Sequence, residues 1–110
     1  MRLISGWCIL NTAEKEKLIA AMTKHLPTLR ATLGITQKEL GDLIGLSRYT
    51  IVSIEGGKRA MSWNTFLSLI LIFVKNYETD VLLEPLGIYT EELNEFVKLR
   101  SGQPAEEKRK

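Results

Sequence analysis

The chain has few of the residues typical of enzymes or of secreted proteins: it contains one cysteine, Cys8, and one histidine, His25, among 110 residues. A lone cysteine excludes a disulfide within the chain and is typical of a reducing cytoplasm, where we expect this protein to act. The sequence has no HxxH or CxxC motif, and no pair of carboxylates is spaced in a way that would indicate a metal-binding or acid–base site. We therefore expect a protein that is not an enzyme and that has no metal and no other cofactor.

Long hydrophobic runs are also absent. The longest apolar stretch, residues 66–74, is interrupted only by Ser68 and is much shorter than the roughly 20 residues that a membrane-spanning helix needs. The apolar residues from 3 to 10 are interrupted by Ser5 and Gly6 and precede a charged segment, which argues against a secretory signal. We expect no contact with a membrane.

Charge is nearly balanced over the whole chain, with a formal net charge of +2, but it is unevenly distributed. Residues 24–59 carry basic side chains at Lys24, Arg30, Lys38, Arg48, Lys58 and Arg59. Residues 76–97 contain no lysine or arginine and carry acidic side chains at Glu78, Asp80, Glu84, Glu91, Glu92 and Glu95. A DNA duplex would be attracted to the first region and repelled by the second, although the acidic residues would equally suit a solvated helix face.

Residues 36–55 predict two short helices joined by a glycine turn. Thr36 and Glu39 form a capping-box pattern that would satisfy free backbone N–H groups at the start of the first helix. Three apolar residues with i, i+3, i+4 spacing share one face, which we expect to be buried: Leu40, Leu43 and Ile44. Gly45 follows them, where a sharp turn favours a residue without a β-carbon. This is the format of a DNA-reading helix-turn-helix.

The second helix of the pair begins after Ser47, a good N-cap residue. Ile51 and Ile54 would pack on the first helix. We expect a second stripe, on the opposite side, to read base edges: Arg48, Tyr49, Val52 and Ser53. Arginine can bond bidentately to guanine, serine can donate or accept, and valine or tyrosine can contact a thymine methyl group.

Two alternatives to a DNA-reading helix remain open. Residues 49–52 have high β propensity and could suggest a strand, but the adjacent apolar residues Ile51 and Val52 break strict alternation. Amphipathic helix pairs joined by a glycine turn also occur in proteins that never touch DNA, so a generic helical hairpin is the second alternative.

Residues 26–74 resemble the Cro and phage-repressor (Xre) helix-turn-helix family. The matching residues are Leu29, Arg30, Leu33, Gly34, Thr36, Gln37, Glu39, Leu40, Gly45, Ser47, Arg48, Thr50, Ile51, Ile54, Glu55, Gly57 and Arg59. The resemblance implies an all-α fold, a compact bundle of about five helices of lambda-repressor-like type whose second and third helices form the motif. In this chain an extra N-terminal helical arm and a C-terminal helix would be added to that bundle.

The resemblance also implies roles for individual residues. Gln37 would touch a phosphate and support the recognition helix, and Arg30 with Glu55 would form a buried structural ion pair, since a buried charge needs a partner. The residues expected to position DNA phosphates are Gln37, Lys38, Ser47, Thr50, Lys58 and Arg59. Gly41 stands where alanine is commonest in the family, which keeps the helices close but costs about 1 kcal/mol of helix propensity.

We divide the chain into four segments. Residues 1–25 form an N-terminal arm and extra helix, because Pro27 predicts a kink or a restart. Residues 26–77 form the DNA-binding core, and residues 78–100 form C-terminal helices that could contact a partner. Residues 101–110 are a charged, flexible tail.

The helix predicted from about Trp63 to Tyr77 is apolar on most of its circumference. One small bundle can cover only part of such a helix, so we expect some of this surface to form a subunit interface.

The sequence therefore predicts a sequence-specific double-stranded DNA-binding protein, a transcriptional regulator and specifically a repressor. It would act as a homodimer with the recognition helix 47–56 in the major groove. One alternative is an antitoxin-like protein that binds a partner through its acidic C-terminal helix and regulates its own expression. Another is a degenerate module that uses the bundle only for protein contacts.

Overall fold

The computed structural model describes residues 3–4, 7–8 and 10–98, which contain six helices and one short pair of strands. The helices are α1 (Thr12–Leu33), α2 (Gln37–Ile44), α3 (Arg48–Glu55), α4 (Trp63–Lys75), α5 (Tyr77–Leu83) and α6 (Glu91–Val97). Two strands of two residues each, β1 (Leu3–Ile4) and β2 (Trp7–Cys8), pair antiparallel before α1, and β2 lies beside α6. The predicted all-α bundle is confirmed. The predicted tail, residues 101–110, lies outside the described residues.

Local sequence signals account for most of the helix ends. At the start of α1 the Asn11 side chain accepts from the Glu14 amide at 2.8 Å, and the Glu14 side chain accepts from the Asn11 amide at 2.9 Å. Thr36 and Glu39 form the same reciprocal pair before α2. Gly45 ends α2 with a φ of 81°, in the left-handed region that favours glycine. The capping box at Thr36 and the glycine turn at Gly45 are as the sequence predicted.

Of the two alternatives predicted at Pro27, a kink or a restart, the restart is wrong, because α1 is one helix that runs through Pro27. Four buried leucine or methionine residues line one side of it: Leu18, Met22, Leu26 and Leu29. Each such side chain contributes about 1.5–3 kcal/mol when buried, which together exceeds the roughly 3 kcal/mol cost of an internal proline. Pro27 itself is exposed. The first half of α1 is therefore part of the bundle and does not form a separate arm in front of it.

The core lies between α1, α4 and the shorter helices. Its largest fully buried side chains include Met22, Phe66, Phe73, Ile88 and Leu93. On α4 the residues that face this core are Phe66, Leu69 and Phe73, whereas Leu71 is 65% exposed. As expected, the bundle does not cover all of the apolar surface of α4, and it leaves Leu71 exposed. No helix among residues 10–98 is long and apolar enough to span a membrane.

One residue of the predicted buried face of α2 is exposed. Leu40 is fully buried, but 59% of Leu43 is accessible to solvent. The buried side of α2 also includes Gly41. At about 100° per residue, Gly41 and Ile44 lie on one side of Leu40 and Leu43 lies on the other. Burial centred between Leu40 and Gly41 therefore leaves Leu43 in solvent.

Candidate nucleic-acid interface

An ion pair connects the end of α3 to the end of α1. Arg30 donates to Glu55 twice, from Nε to Oε2 at 2.8 Å and from Nη2 to Oε1 at 3.0 Å. The Arg30 side chain is 19% exposed and the Glu55 side chain 8% exposed. The hydrogen bond to Glu55 raises the pKa of Arg30 above its ordinary value, and burial, which acts in the opposite direction, does not outweigh it. The pair expected from the resemblance is thus present in the structure.

Gln37 joins this ion pair from the first turn of α2. Its Nε2 donates to Glu55 Oε1 at 3.0 Å. Arg30 Nη1 also donates to the Ile35 carbonyl at 3.2 Å, in the segment between α1 and α2. Glu55 therefore fixes the C-terminal end of α3 against two other helices. Gln37 supports α3 in this way, and its contact with a phosphate stays a prediction.

The turn between α2 and α3 depends on glycine at two positions. The Gly41 carbonyl accepts from the Gly45 amide at 2.8 Å and from the Leu46 amide at 2.9 Å. A β-carbon added at Gly41 would overlap the Leu46 carbonyl oxygen, so the backbone of the turn would have to move. Gly45 adopts the positive φ that closes the turn. The sequence indicated close helices at Gly41, and the structure shows that the close neighbour is the turn itself.

Three side chains of α3 point into solvent on its outer face: Arg48, Tyr49 and Val52. Tyr49 is 74% exposed and Val52 is 36% exposed. Ser47 caps the helix by accepting from the Thr50 amide at 3.1 Å, and the two hydroxyl groups lie 3.0 Å apart. The exposed residues thus project from a helix whose two ends are both fixed by hydrogen bonds.

Ser53 does not belong to this outer face, contrary to the expectation that it reads bases. Only 7% of the residue is exposed. After α3 the chain turns at Gly57, and the Lys58 and Arg59 amides both donate to the Ser53 carbonyl, at 2.9 and 3.2 Å. The returning segment lies against this part of α3, which explains the burial. Helical spacing alone places Ser53 on the stripe and gives no signal of the returning segment.

The basic residues predicted to contact phosphates fall into two groups. Lys58 and Arg59 are exposed on the returning segment and form no ion pair within the described part of the chain. Lys38 lies 3.1 Å from Asp42 on α2, with both side chains mostly exposed. An exposed pair of this kind is worth about 0–1 kcal/mol and can be exchanged for another anion at small cost.

No family model, no curated protein and no solved structure matches this chain. Among the residues that the structure describes, no group of three or more histidine, cysteine, aspartate or glutamate side chains is placed to hold a metal ion. The geometry of α2, α3 and the segment that follows them therefore carries the functional interpretation.

Proposed function

We propose that this protein is a sequence-specific double-stranded DNA-binding regulator that inserts α3 into the major groove. The observation that carries the proposal is the combination of an exposed reading face with a fixed backbone. Arg48, Tyr49 and Val52 project from α3, while the Arg30–Glu55 pair fixes its far end. A reading helix needs both properties, because its side chains must meet base edges in a defined register.

The exposed side chains define a limited base preference. Arg48 can donate two hydrogen bonds to the O6 and N7 atoms of guanine, and Val52 can contact the methyl group of thymine. Tyr49 adds a large, amphipathic side chain beside them. Since Ser53 is buried, the proposed reading set is these three residues, and each half-site would contain a guanine and a thymine close together.

The phosphate contacts would surround this reading face. Lys58 and Arg59 follow α3 directly and are free to bind phosphate oxygens, which position the protein without reading sequence. Ser47, Thr50, Gln37 and Lys38 complete the proposed phosphate-positioning residues. Thr50 and Ser47 already bond to each other, so they would offer their remaining acceptors and donors to a phosphate or a bridging water.

We further propose that the protein acts as a homodimer and represses transcription. A dimer would place two copies of α3 in successive major grooves, about 34 Å apart. Three exposed apolar residues on α4 and α5 support an interface between copies: Leu71, Tyr77 and Val81. Bound DNA and the single cysteine would place the protein in the cytoplasm.

The testing experiment is selection of duplexes from a randomised pool at near-physiological salt, with protein whose oligomeric state has been measured. We expect an inverted repeat with half-sites about one helical turn apart. The variant Arg48→Ala should lose about 1–3 kcal/mol of binding free energy on the selected duplex and relax the preference at one position. Lys75→Ala, at the end of α4, is the matched control, because it also removes one exposed positive charge. Recovery of no motif would count against the proposal.

A second candidate function is binding of a protein partner, as in an antitoxin. A groove of about 490 Å³ lies between α5 and the start of α6. Its walls combine acidic and apolar side chains: Asp80, Glu84, Glu91, Val74, Val81 and Tyr89. Such a lining suits a segment with basic and apolar residues. A partner that co-purifies with the native protein and is released by Glu84→Lys would favour this function, whereas a pure homodimer would oppose it.

A further inference from the structure

We propose that Lys24, on α1, is a further phosphate-binding cation beside Lys58 and Arg59, so that the DNA backbone is held in a groove between α1 and the segment after α3. This inference rests on the proposed DNA binding and extends it to a helix outside the helix-turn-helix pair. It assigns to α1 a direct contact with DNA as well as its place in the core.

The groove is formed by two separate parts of the chain. Ile19, Ala20, Thr23 and Lys24 of α1 form one wall and residues 57–61 form the other, with an open volume of about 460 Å³ between them. Ile54 and Met61, which are 2% and 4% exposed, close its base with apolar surface. Lys24 therefore lies across the groove from the segment that carries Lys58 and Arg59.

The charge of the groove is of one sign. Lys24, Lys58 and Arg59 all line it, and among the residues that the structure describes no acidic side chain does. All three are exposed, and within the described residues none of them forms an ion pair. Three unpaired cations around one concave surface raise the local concentration of anions. The complementary ligand is an anion with several charges that extends along the groove.

The position of the groove identifies this anion as the phosphodiester backbone of the duplex that α3 reads. Lys58 and Arg59 belong both to the groove and to the proposed phosphate-positioning residues, so the two surfaces are continuous. The amides of these two residues are bonded to the Ser53 carbonyl, which fixes the groove wall relative to α3. The Thr23 hydroxyl, which also lines the groove, donates its hydrogen to the Ile19 carbonyl at 2.8 Å. The three cations are therefore the side chains that would bind the anion.

The test compares Lys24→Gln with Lys75→Gln in titrations of a duplex of about 30 base pairs over a range of salt concentrations. Both variants lose one exposed positive charge. Trp63 begins α4 just after the groove wall formed by residues 57–61, and Lys75 ends the same helix about 18 Å further along its axis. Lys75 therefore lies away from the groove. Circular dichroism would verify that both variants are folded.

We expect Lys24→Gln to reduce the slope of log K against log salt by about 0.9, which corresponds to about fivefold weaker binding near 0.15 M salt. The loss should be equal on selected and scrambled duplexes, because a phosphate contact carries no sequence information. Lys24→Arg should restore the slope. Lys75→Gln should leave it unchanged.

The two proposals fail in different ways. If the unmodified protein showed no salt-dependent duplex binding, the proposed function would be wrong, and the role of Lys24 with it. If the unmodified protein bound and Lys24→Gln behaved like Lys75→Gln, only the inference about Lys24 would be overturned. A loss confined to the selected duplex would also contradict it, since Lys24 would then act on the base-reading geometry.

Discussion

Replacement of Glu55 by alanine should destabilise the protein by about 3 kcal/mol. The change removes three hydrogen bonds to a carboxylate, two from Arg30 and one from Gln37. Hydrogen bonds to charged groups contribute about 1.5–3 kcal/mol each, and loss of one partner of a buried pair costs about 3–5 kcal/mol. The 19% exposure of the Arg30 side chain allows some rehydration of the guanidinium, which places the estimate at the lower end of that range.

Urea unfolding followed by tryptophan fluorescence would measure this loss. Trp63 is partly buried and is stacked on the core residue Phe66, with ring centroids 4.9 Å apart, so its emission should report the loss of packing. For a domain of this size the midpoint of thermal unfolding should fall by about 15 °C. Glu16→Ala is the matched control, because Glu16 is exposed on α1 and removal of its charge should change stability by no more than about 0.5 kcal/mol.

A double-mutant cycle would separate the pair from its surroundings. Arg30→Met in the Glu55→Ala background should cost much less than in the unmodified protein, because the arginine has already lost its partner. A loss below about 0.5 kcal/mol for Glu55→Ala would refute the reasoning. Additive effects of the two changes would do so as well, since Glu55 would then not hold α1 and α3 together.

Three further changes test other parts of the structure. Gly41→Ala should lower the urea midpoint despite its gain of about 1 kcal/mol in helix propensity, because its β-carbon would overlap the Leu46 carbonyl; a raised midpoint would contradict this. Lys15→Met should cost about 1 kcal/mol in urea unfolding, since the Lys15 ammonium lies 5.3 Å from the Trp63 ring centre; an unchanged midpoint would show that this contact contributes nothing. Lys58→Ala should weaken binding to selected and scrambled duplexes equally in titrations, and a selective loss would assign it to base reading.

Features encoded by near neighbours in the sequence were predicted well. The capping box at Thr36 depends on two residues three positions apart, and the turn at Gly45 depends on one backbone conformation. The all-α class was expected from the family resemblance. The bond between Arg30 and Glu55 joins residues 25 positions apart, and it was expected only because the sequence resembles a family that has such a pair.

Features that depend on the packing of distant segments were not predictable in the same way. The exposure of Leu43 depends on which side of α2 meets the turn before α3, and the burial of Ser53 depends on the path of the segment after α3. A kink or a restart was expected at Pro27, because the cost of a proline inside a helix can be read from the sequence. The core contacts of α1 that offset this cost cannot be read from it. The contact of Lys15 with Trp63 likewise joins residues far apart in the chain.

The continuity of α1 also has a consequence for the evolution of this sequence. The helix carries Leu18 and Met22 in its first half and Arg30 near its C-terminal end, and all three contribute to the same cooperative structure. A substitution at Leu18 or Met22 would therefore change how much of the protein is folded without touching the exposed face of α3. Under the proposed function it would also change the occupancy of DNA in the cell, so selection for correct regulation would act on this first half of α1 as well as on α3.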